Sequence, residues 1–360
     1  MKRFQASTRI LSGPGAVSSL ADFHARRLFL VTDPYFYDSG AATKIAGAAN
    51  AEAIEYFTNI QPDPTVTLAA EGTAALKAFD PDLLVALGGG SAMDCAKAML
   101  YFSGKEIPLI AIPTTSGSGS EVTNFSILTH DGTKHPLIDP KLQPHTAILD
   151  GDLLQSLPPK LIADTGFDAI SHAIEAFVAT GASTISSALA KDAFCALMAH
   201  LPASYGGDSR CRLRIHEASA MAGLAFTQAG LGLCHALSHV LGGMYHVPHG
   251  RLNAILLPAV IGCNAHAAGE QYAKLSVAAG FVGNAPAMAV RNLKNALIRL
   301  RRELNLPPTL QQAGIDPRQL RHDAETIVKA TLEDPCCATN PTPVADFMIR
   351  AVLEEVAGRG

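Results

Sequence analysis

Short apolar runs alternate with helical patterns over the first 150 residues. Three runs have the length and composition of buried strands, and each ends in Asp, Gly or Thr: "RLFLVTD" (27–33), "DLLVALGGG" (82–90) and "IPLIAIPTT" (107–115). Between the first two lies a stretch with helical spacing of apolar residues, "TVTLAAEGTAALKAF" (65–79). This alternation predicts a parallel sheet covered by helices.

The pattern changes after the stretch "LLQSLPPKLIADTG" (153–166), and we place the boundary near residue 155. Alanine-rich helical patterns then dominate, as in 168–179 and 184–201, and strand signals almost vanish. The pair Pro158 and Pro159 suits the first turn of a new helix. We therefore predict an α/β domain over residues 1–154 and an all-α domain over residues 155–360.

The composition is that of a globular protein with room for two domains. The chain has 360 residues, 48% of them hydrophobic and 17% charged, and a net charge of −4 with both signs mixed. This balance argues against a nucleic-acid or membrane partner. The longest apolar run, 254–263, has about half the length of a bilayer span, so no transmembrane helix is expected. Seven cysteines without a CxxC pair indicate a reducing cytoplasm.

The segment "LLVALGGGSAMDCAKAML" (83–100) has the pattern of a strand, a glycine turn and a helix. Gly88, Gly89 and Gly90 allow the backbone to approach a ligand closely. The helix N-terminus offers unpaired N–H groups that would hold a pyrophosphate. Ser91 and Asp94 have the spacing of a capped helix start. A plain glycine-rich turn is the alternative for this loop taken alone.

Two further features favour a nucleotide. The loop "PTTSGSGSEVT" (113–123) follows a strand and is rich in small hydroxyl donors, and Asp33 closes an earlier strand. A carboxylate there can accept hydrogen bonds from an adenosine ribose and would repel the 2′-phosphate of NADP, so NAD is favoured. Because the ribose candidate precedes the glycine loop, this is not the common G-x-G-x-x-G arrangement.

Asp168 and His172 lie four residues apart in a strongly helical segment, so both side chains share one face. His235 and His239 repeat this spacing, and His249 follows where their helix should end. Asp168, His172, His235 and His249 would supply one oxygen and three nitrogens. Such a set suits Fe(II), Zn(II) or Mn(II) and leaves room for a substrate oxygen. Each pair alone is more typical of an exposed polar face.

Neighbouring residues are given other roles. His239 lies one turn beyond His235 and suits a proton carrier. His246 would line the entrance. Cys234 points about 100° away from His235 around the helix and is excluded as a ligand. The remaining histidines are scattered and are expected at the surface, as at His24, His130 and His216.

Four motifs in order resemble the iron-dependent (group III) alcohol dehydrogenases. They are GGGS-x-x-D-x-x-K (88–97), PTT-x-G-x-G-S-E-V-T (113–123), TG-x-DA-x-x-HA-x-E (165–175) and H-x-x-x-H-x(9)-HG (235–250). The similarity runs from "RILSGPGAV" to "TNP" (339–341), nearly the whole chain. One departure is "NPTP" (340–343), where the family has Asn-Pro-Arg.

The resemblance implies an N-terminal α/β dinucleotide-binding domain and an all-α C-terminal metal-binding domain. It implies NAD and Fe(II) as cofactors, with Zn(II) as the alternative metal. It matches Asp168, His172, His235 and His249 to the metal ligands and His239 to a histidine near the substrate. Phe125 and Phe226 are expected to line the substrate pocket with His246. The expected cofactor-binding residues are Asp33, Gly88, Gly89, Gly90, Ser91, Asp94, Thr114, Thr115, Ser118 and Lys134.

The implied reaction is reversible hydride transfer between NAD(H) and a short primary alcohol or aldehyde, such as 1-propanol or propionaldehyde. A homodimer is expected, in the cytoplasm or a bacterial microcompartment. The main alternative is a polyol dehydrogenase of the glycerol type. A lyase such as dehydroquinate synthase would need more basic residues than Lys134 and Arg251 near the motifs. A binding protein without activity would not need the four-ligand set.

Overall fold

The computed structural model describes residues 2, 4–130, 133–281, 283 and 285–358 of the chain. These residues form two compact units. The first unit is Ala6–Leu157, and the second contains the described residues of Met1–Gln5 and Pro158–Gly360. The first unit is built around a sheet and the second is built from helices.

The first unit contains a six-stranded parallel sheet and a two-stranded antiparallel hairpin. The strands are β1 (Arg9–Ser12), β2 (Arg27–Val31), β3 (Ala53–Phe57), β4 (Leu83–Gly88), β5 (Leu109–Pro113), β6 (Phe125–His130), β7 (Thr133–Ile138) and β8 (Thr146–Leu149). The large sheet has the order β1-β8-β5-β4-β2-β3, and β6 pairs with β7. The predicted parallel sheet is confirmed, whereas the hairpin was not expected from the sequence.

Helices cover both faces of the sheet. They are α1 (Pro34–Asp38), α2 (Ala41–Gly47), α3 (Val66–Phe79) and α4 (Gly90–Ser103), with short 3₁₀ segments at Ala16–Phe23, Ser120–Val122, Pro140–Leu142 and Gly151–Leu154. Along β2, Phe29 and Val31 belong to the core beneath α3 and α4. Leu28 and Leu30 belong to the core beneath α2. Because alternate residues face opposite sides and both sides are buried, the strand is apolar throughout.

The carboxyl ends of three neighbouring strands bring the predicted nucleotide loops together. β5, β4 and β2 are adjacent, so the residues that follow them lie at one edge of the sheet. The Thr114 N–H donates to the Gly88 carbonyl over 2.9 Å. Ligands of open α/β sheets bind outside this edge.

The second unit contains helices and turns but no strand among its described residues. Its helices are α5 (Pro159–Val178), α6 (Thr184–Tyr205), α7 (Arg212–Ala229), α8 (Leu233–Tyr245), α9 (His249–Ala278), α10 (Pro286–Glu303), α11 (Pro317–His322), α12 (Ala324–Glu333) and α13 (Asp346–Val356), with 3₁₀ segments at Ser209–Cys211 and Pro335–Thr339. The predicted all-helical half is confirmed. α5 begins at Pro159, as the Pro-Pro pair predicts.

Helix α9 is longer than the apolar run in it suggests. It has 30 residues, contains Pro258, and has a non-helical backbone at Ala268. Within the described part of the chain it is the single helix long and apolar enough to cross a membrane. α7, extended back to Ser209, and α8 pass the same test only as a pair bent by 104°. Two thirds of the α9 apolar window is buried inside the protein (67%), as in a core helix.

The predicted surface position of His216 is wrong. His216 lies on α7 and is fully buried. α7 packs against both α5 and α6, so it is enclosed on more than one side, which a single helical stripe in the sequence does not reveal. His24 and His130 are exposed, as expected.

Candidate metal centre and nucleotide loops

One carboxylate oxygen faces three imidazoles in the helical unit. Asp168 Oδ1 lies 3.7 Å from Nε2 of His235, 3.7 Å from Nε2 of His249 and 4.0 Å from Nε2 of His172. The structure therefore brings all four predicted ligands together from α5, α8 and the first residue of α9. Oxygen and nitrogen donors that converge in this way are suited to a divalent cation.

Asp168, His172 and His235 are buried, His249 is half-buried, and the rings pack against one another. His172 is 5% exposed and His235 is 1% exposed. Their rings stack with centroids 4.5 Å apart, and Phe226 stacks on His172 at 4.4 Å. Phe226, predicted to line the substrate pocket, thus contacts a member of this cluster. Its ring shields that side from water.

The cluster favours positive charge. Burial raises the pKa of the Asp168 carboxyl, but the imidazoles of His172, His235 and His249 outweigh burial and hold this pKa well below its usual range. Burial lowers the pKa of His235, but Asp168 and Glu175 outweigh it and raise this pKa to about 9. A site that keeps a carboxylate ionised and stabilises a proton on His235 also favours a metal cation that replaces this proton.

Glu175 holds the start of α8 and one of the rings. Its carboxylate accepts the backbone N–H of Gly232 at 3.1 Å and of Cys234 at 2.8 Å. It also accepts Nδ1–H of His235 at 2.5 Å, which leaves Nε2 as the donor atom towards Asp168. A carboxylate is favourable at a helix N-terminus. Glu175 closes the third motif, but its role was not predicted from the sequence.

Asn340 also stabilises the N-terminus of α8. The Asn340 side chain accepts the Leu233 N–H at 3.1 Å and pairs with the Asn264 amide at 2.9 Å in both directions. A Cβ on Gly232 would lie 2.7 Å from the Asn340 oxygen and 2.9 Å from Glu175. Gly232 is therefore required for this close approach.

Asn253 is a second residue whose role was not predicted from the sequence. Its amide donates to Asp168 Oδ1 at 2.8 Å, and its oxygen accepts the Ser238 hydroxyl at 2.5 Å. Asn253 lies four residues after His249 on α9, so it shares the face of that ligand. This i,i+4 spacing from a predicted ligand is the sequence feature from which a role for Asn253 could have been predicted. The amide orients the carboxylate, as groups behind metal ligands commonly do.

His239 lies beside the cluster and has its own carboxylate partner. Its Nδ1 is 2.9 Å from Asp334 Oδ2, and its ring stacks on His249 with centroids 5.1 Å apart. His246 is exposed at the end of α8 with a left-handed backbone (φ 55°), and its place at the entrance of the substrate pocket stays a prediction. Phe125 lies in the first unit, half-buried at the start of β6.

The two glycine-rich loops of the first unit contact each other. Gly88 has φ 150°, and a Cβ there would lie 2.7 Å from that of Ala92. A Cβ on Gly89 would lie 3.3 Å from the Thr115 hydroxyl, and one on Gly90 would lie 3.2 Å from Ser118. The backbone before α4 therefore carries no Cβ atoms at these glycines and lies next to two hydroxyl groups. An anion can approach its N–H groups there.

Asp33 stands at the same edge of the sheet. Its carboxylate caps α1 by accepting the Phe36 N–H at 3.1 Å. The second carboxylate oxygen lies 3.8 Å from the Cβ position of Gly88. Lys134, on β7, forms an ion pair with Asp63 at 2.7 Å. The structure thus places Asp33 beside the glycine loop and pairs Lys134 with a carboxylate.

The predicted Ser91–Asp94 cap is wrong. The N-cap of α4 is Gly89, two residues before Ser91, and it makes no side-chain cap, so that the helix begins at Gly90. Asp94 instead accepts the Ser120 hydroxyl at 2.7 Å and the Ile127 N–H at 3.2 Å. Asp94 therefore joins α4 to the second loop and the hairpin, a long-range contact that S-x-x-D spacing cannot distinguish from a cap.

Lys97, the last residue of the first motif, forms hydrogen bonds with the second loop and with the start of the hairpin. It is 1% exposed and donates to Ser120 Oγ at 2.9 Å, to the Thr123 carbonyl at 2.9 Å and to the Phe125 carbonyl at 2.8 Å. Burial lowers the pKa of Lys97 to about 8, against the opposing effect of the Asp94 and Glu121 carboxylates. Its place in the motif was noted, but this role was not predicted.

Comparison with known proteins agrees with both halves. Residues 7–151 match the model "Iron-containing alcohol dehydrogenase", and residues 162–357 match "Fe-containing alcohol dehydrogenase family, C-terminal". A 1-propanol dehydrogenase, PduQ, of Salmonella typhimurium is 39% identical over 99% of this chain and 100% of its own. This full-length similarity agrees with the short primary alcohol expected from the sequence as substrate.

Two further proteins are similar over the full length. The NADPH-dependent butanol dehydrogenase of Clostridium saccharobutylicum is 34% identical over 98% of this chain and 97% of its own. The sulfoacetaldehyde reductase of Bifidobacterium kashiwanohense, solved with NAD⁺, has a TM-score of 0.91 at 27% identity and covers 100% of both chains. The chain is therefore an oxidoreductase that belongs to the iron-containing alcohol dehydrogenase family.

Proposed function

We propose that this chain interconverts short-chain aldehydes and primary alcohols with NAD(H). The observation that carries the proposal is the convergence of three Nε2 atoms on Asp168 Oδ1 within 4.0 Å. The relative that acts on 1-propanol supports a substrate of about that size. We assign nucleotide binding to the unit Ala6–Leu157 and metal binding to the helical unit.

The donor set fits a divalent metal. Asp168, His172, His235 and His249 would hold it through one oxygen and three nitrogens, and no sulfur takes part. Fe(II) and Zn(II) both accept such ligands, and the family name favours iron. Asn253 and Glu175 keep the carboxylate and one imidazole oriented before the metal binds. When bound, the metal supplies Lewis acidity to the substrate oxygen.

The chain itself handles the proton and excludes water. Because Asp334 accepts the Nδ1–H of His239, Nε2 of that ring is left as a proton acceptor. His239 Nε2 would therefore take the proton from an alcohol, or return it to an aldehyde. Phe226 covers His172 and limits access of water from that side. Positioning and exclusion of water are the usual contributions of the protein to hydride transfer.

The nucleotide loops fit a dinucleotide. The bare backbone at Gly88–Gly90 and the N-terminus of α4 would hold the pyrophosphate, with hydroxyl donors on both loops. We assign the contacts with the pyrophosphate and the nicotinamide ribose to residues of the two loops. These residues are Gly88, Gly89, Gly90, Ser91, Thr114, Thr115 and Ser118. We assign Lys134 to the nicotinamide ribose as well. Asp94 stabilises the second loop by accepting the Ser120 hydroxyl. NAD supplies the hydride acceptor, and NADH the donor.

Asp33 would select NAD over NADP. We expect Asp33→Ser to raise the ratio of kcat/KM with NADPH to that with NADH by about 10- to 100-fold, because the substitution removes a charge that repels the 2′-phosphate. Asp38→Ser, an exposed change on the same short helix, is the control and should leave the ratio as it is. An unchanged ratio in Asp33→Ser would remove Asp33 from the ribose site.

The activity is tested anaerobically. We expect protein reloaded with Fe(II) to oxidise NADH with propionaldehyde and neighbouring straight-chain aldehydes, and to do so faster than with dihydroxyacetone. Faster turnover of dihydroxyacetone and glycerol would favour the polyol alternative. Bound metal without turnover of any aldehyde or alcohol, with NADH or NADPH, would reject the proposal.

The homodimer and the cytoplasmic or microcompartment location stay proposals. Light scattering of the purified protein should give twice the 37.7 kDa chain mass. A monomer under assay conditions would reject the dimer.

A further inference from the structure

A second cluster of metal-binding side chains adjoins the first. A ring nitrogen of His239, a carboxylate oxygen of Asp334 and the sulfur of Cys336 all lie within 4.8 Å of one another. All three residues are half-buried, and none belongs to the four-ligand set. The rings of His239 and His249 stack at 5.1 Å, so the two clusters are neighbours.

The backbone brings these three residues together. Asp334 begins the 3₁₀ segment Pro335–Thr339, and its Oδ1 accepts the Cys336 N–H at 2.8 Å. Its Oδ2 faces Nδ1 of His239 at 2.9 Å. One carboxylate therefore contacts the Cys336 backbone and the His239 imidazole, and the Cys336 sulfur lies within 4.8 Å of a donor atom of each.

The donors differ in kind from those of the first cluster. A thiolate, an imidazole and a carboxylate form a set that Zn(II) and Co(II) bind well, since sulfur favours softer dications than oxygen and nitrogen alone do. Three protein ligands leave a fourth position for water. The first cluster contains no sulfur, so the two sites should differ in metal preference.

We propose that His239, Asp334 and Cys336 form a second, inhibitory site for zinc-like dications. Binding expels the thiol proton of Cys336 to solvent and forms a bond from the metal to its sulfur. Coordination at Nδ1 of His239 moves the ring proton to Nε2. If His239 Nε2 handles the substrate proton, as the proposed function has it, the occupied site blocks turnover while the first metal stays bound.

Cobalt tests the site directly. Fe(II)-loaded protein is titrated with Co(II) under anaerobic conditions, and near-ultraviolet absorption and metal content per chain are recorded. We expect one Co(II) bound beside one retained Fe(II), with a thiolate-to-cobalt charge-transfer band. The band should vanish in Cys336→Ser and persist in Cys337→Ser. Cys337 is the matched control because its thiol donates a hydrogen bond to the Thr331 carbonyl at 3.0 Å and is not one of the three proposed ligands.

Zinc inhibition is the second readout. The zinc concentration for half-inhibition should rise at least about 100-fold in Cys336→Ser, relative to that variant's own zinc-free rate, since loss of a group that only supports a ligand already costs about 10- to 100-fold. It should stay the same in Cys337→Ser. Asp334→Asn, which keeps the side chain's shape, should also weaken cobalt binding if Cys336→Ser does not fold. Absence of the band, its persistence in Cys336→Ser, or cobalt uptake matched by iron loss would overturn the proposal. Because the band needs no turnover, a chain that lacks aldehyde reductase activity can still show it.

Discussion

Asp168→Asn should abolish stable metal binding. The substitution keeps the shape of the side chain but removes the charge at the point where three Nε2 atoms converge. Loss of a group that merely supports a ligand costs about 10- to 100-fold in affinity, so loss of this ligand should cost at least about 100-fold. Metal content after gel filtration and NADH oxidation with propionaldehyde should fall together.

Asp164→Asn is the matched control. Asp164 lies one turn earlier on α5 and forms a two-pronged ion pair with Arg251, at 2.7 and 3.1 Å. We expect this variant to unfold at lower temperature yet to keep its metal. Full metal content in Asp168→Asn, or equal metal loss in both variants, would remove Asp168 from the ligand set.

Glu175→Gln should lower both the stability and the metal affinity. The amide replaces one acceptor oxygen with a donor that faces the N–H groups of the α8 start and the ring of His235. Disrupting a buried charged network of this kind costs about 3–5 kcal/mol in the free energy of unfolding. Misorientation of His235 should also reduce metal affinity about 10- to 100-fold.

Chemical denaturation with and without metal separates the two effects. Glu217→Gln, a partly exposed change on α7 beside Arg214, is the control and should shift the free energy of unfolding by less than about 0.5 kcal/mol. Glu175→Gln with normal metal affinity would mean that Glu175 stabilises the helix alone. An unchanged free energy of unfolding would contradict the whole assignment.

The sequence predicted what depends on local periodicity. The alternation around residues 27–115 predicted the parallel sheet, and the i,i+4 spacing of Asp168 and His172 placed both on one face of α5. The sequence also placed the end of the helix of His235 and His239 before His249, which begins α9. Each strand, helix face and helix end among these features is recognised from a short segment of the chain.

The sequence did not predict what depends on distant contacts. Glu175, Asn253 and Asp334 serve the cluster through partners 60, 85 and 95 residues away. Asp94 has the spacing of a cap but bonds to Ser120, which only the folded loop brings near. Such side chains have no periodic signature because the fold itself creates their partners.

The dependence of the α8 start on Asn340 has a consequence for biosynthesis. The four candidate ligands have all been synthesised by residue 249, yet the amide that accepts the Leu233 N–H comes 91 residues later (340 − 249 = 91). While the ribosome still holds that tail, the helix that carries His235 lacks one of its anchors. Domains fold as units once their chain has emerged. Iron insertion should therefore wait until Asn340 has left the ribosome, and nascent chains stalled before the Asn340 codon should not retain the metal.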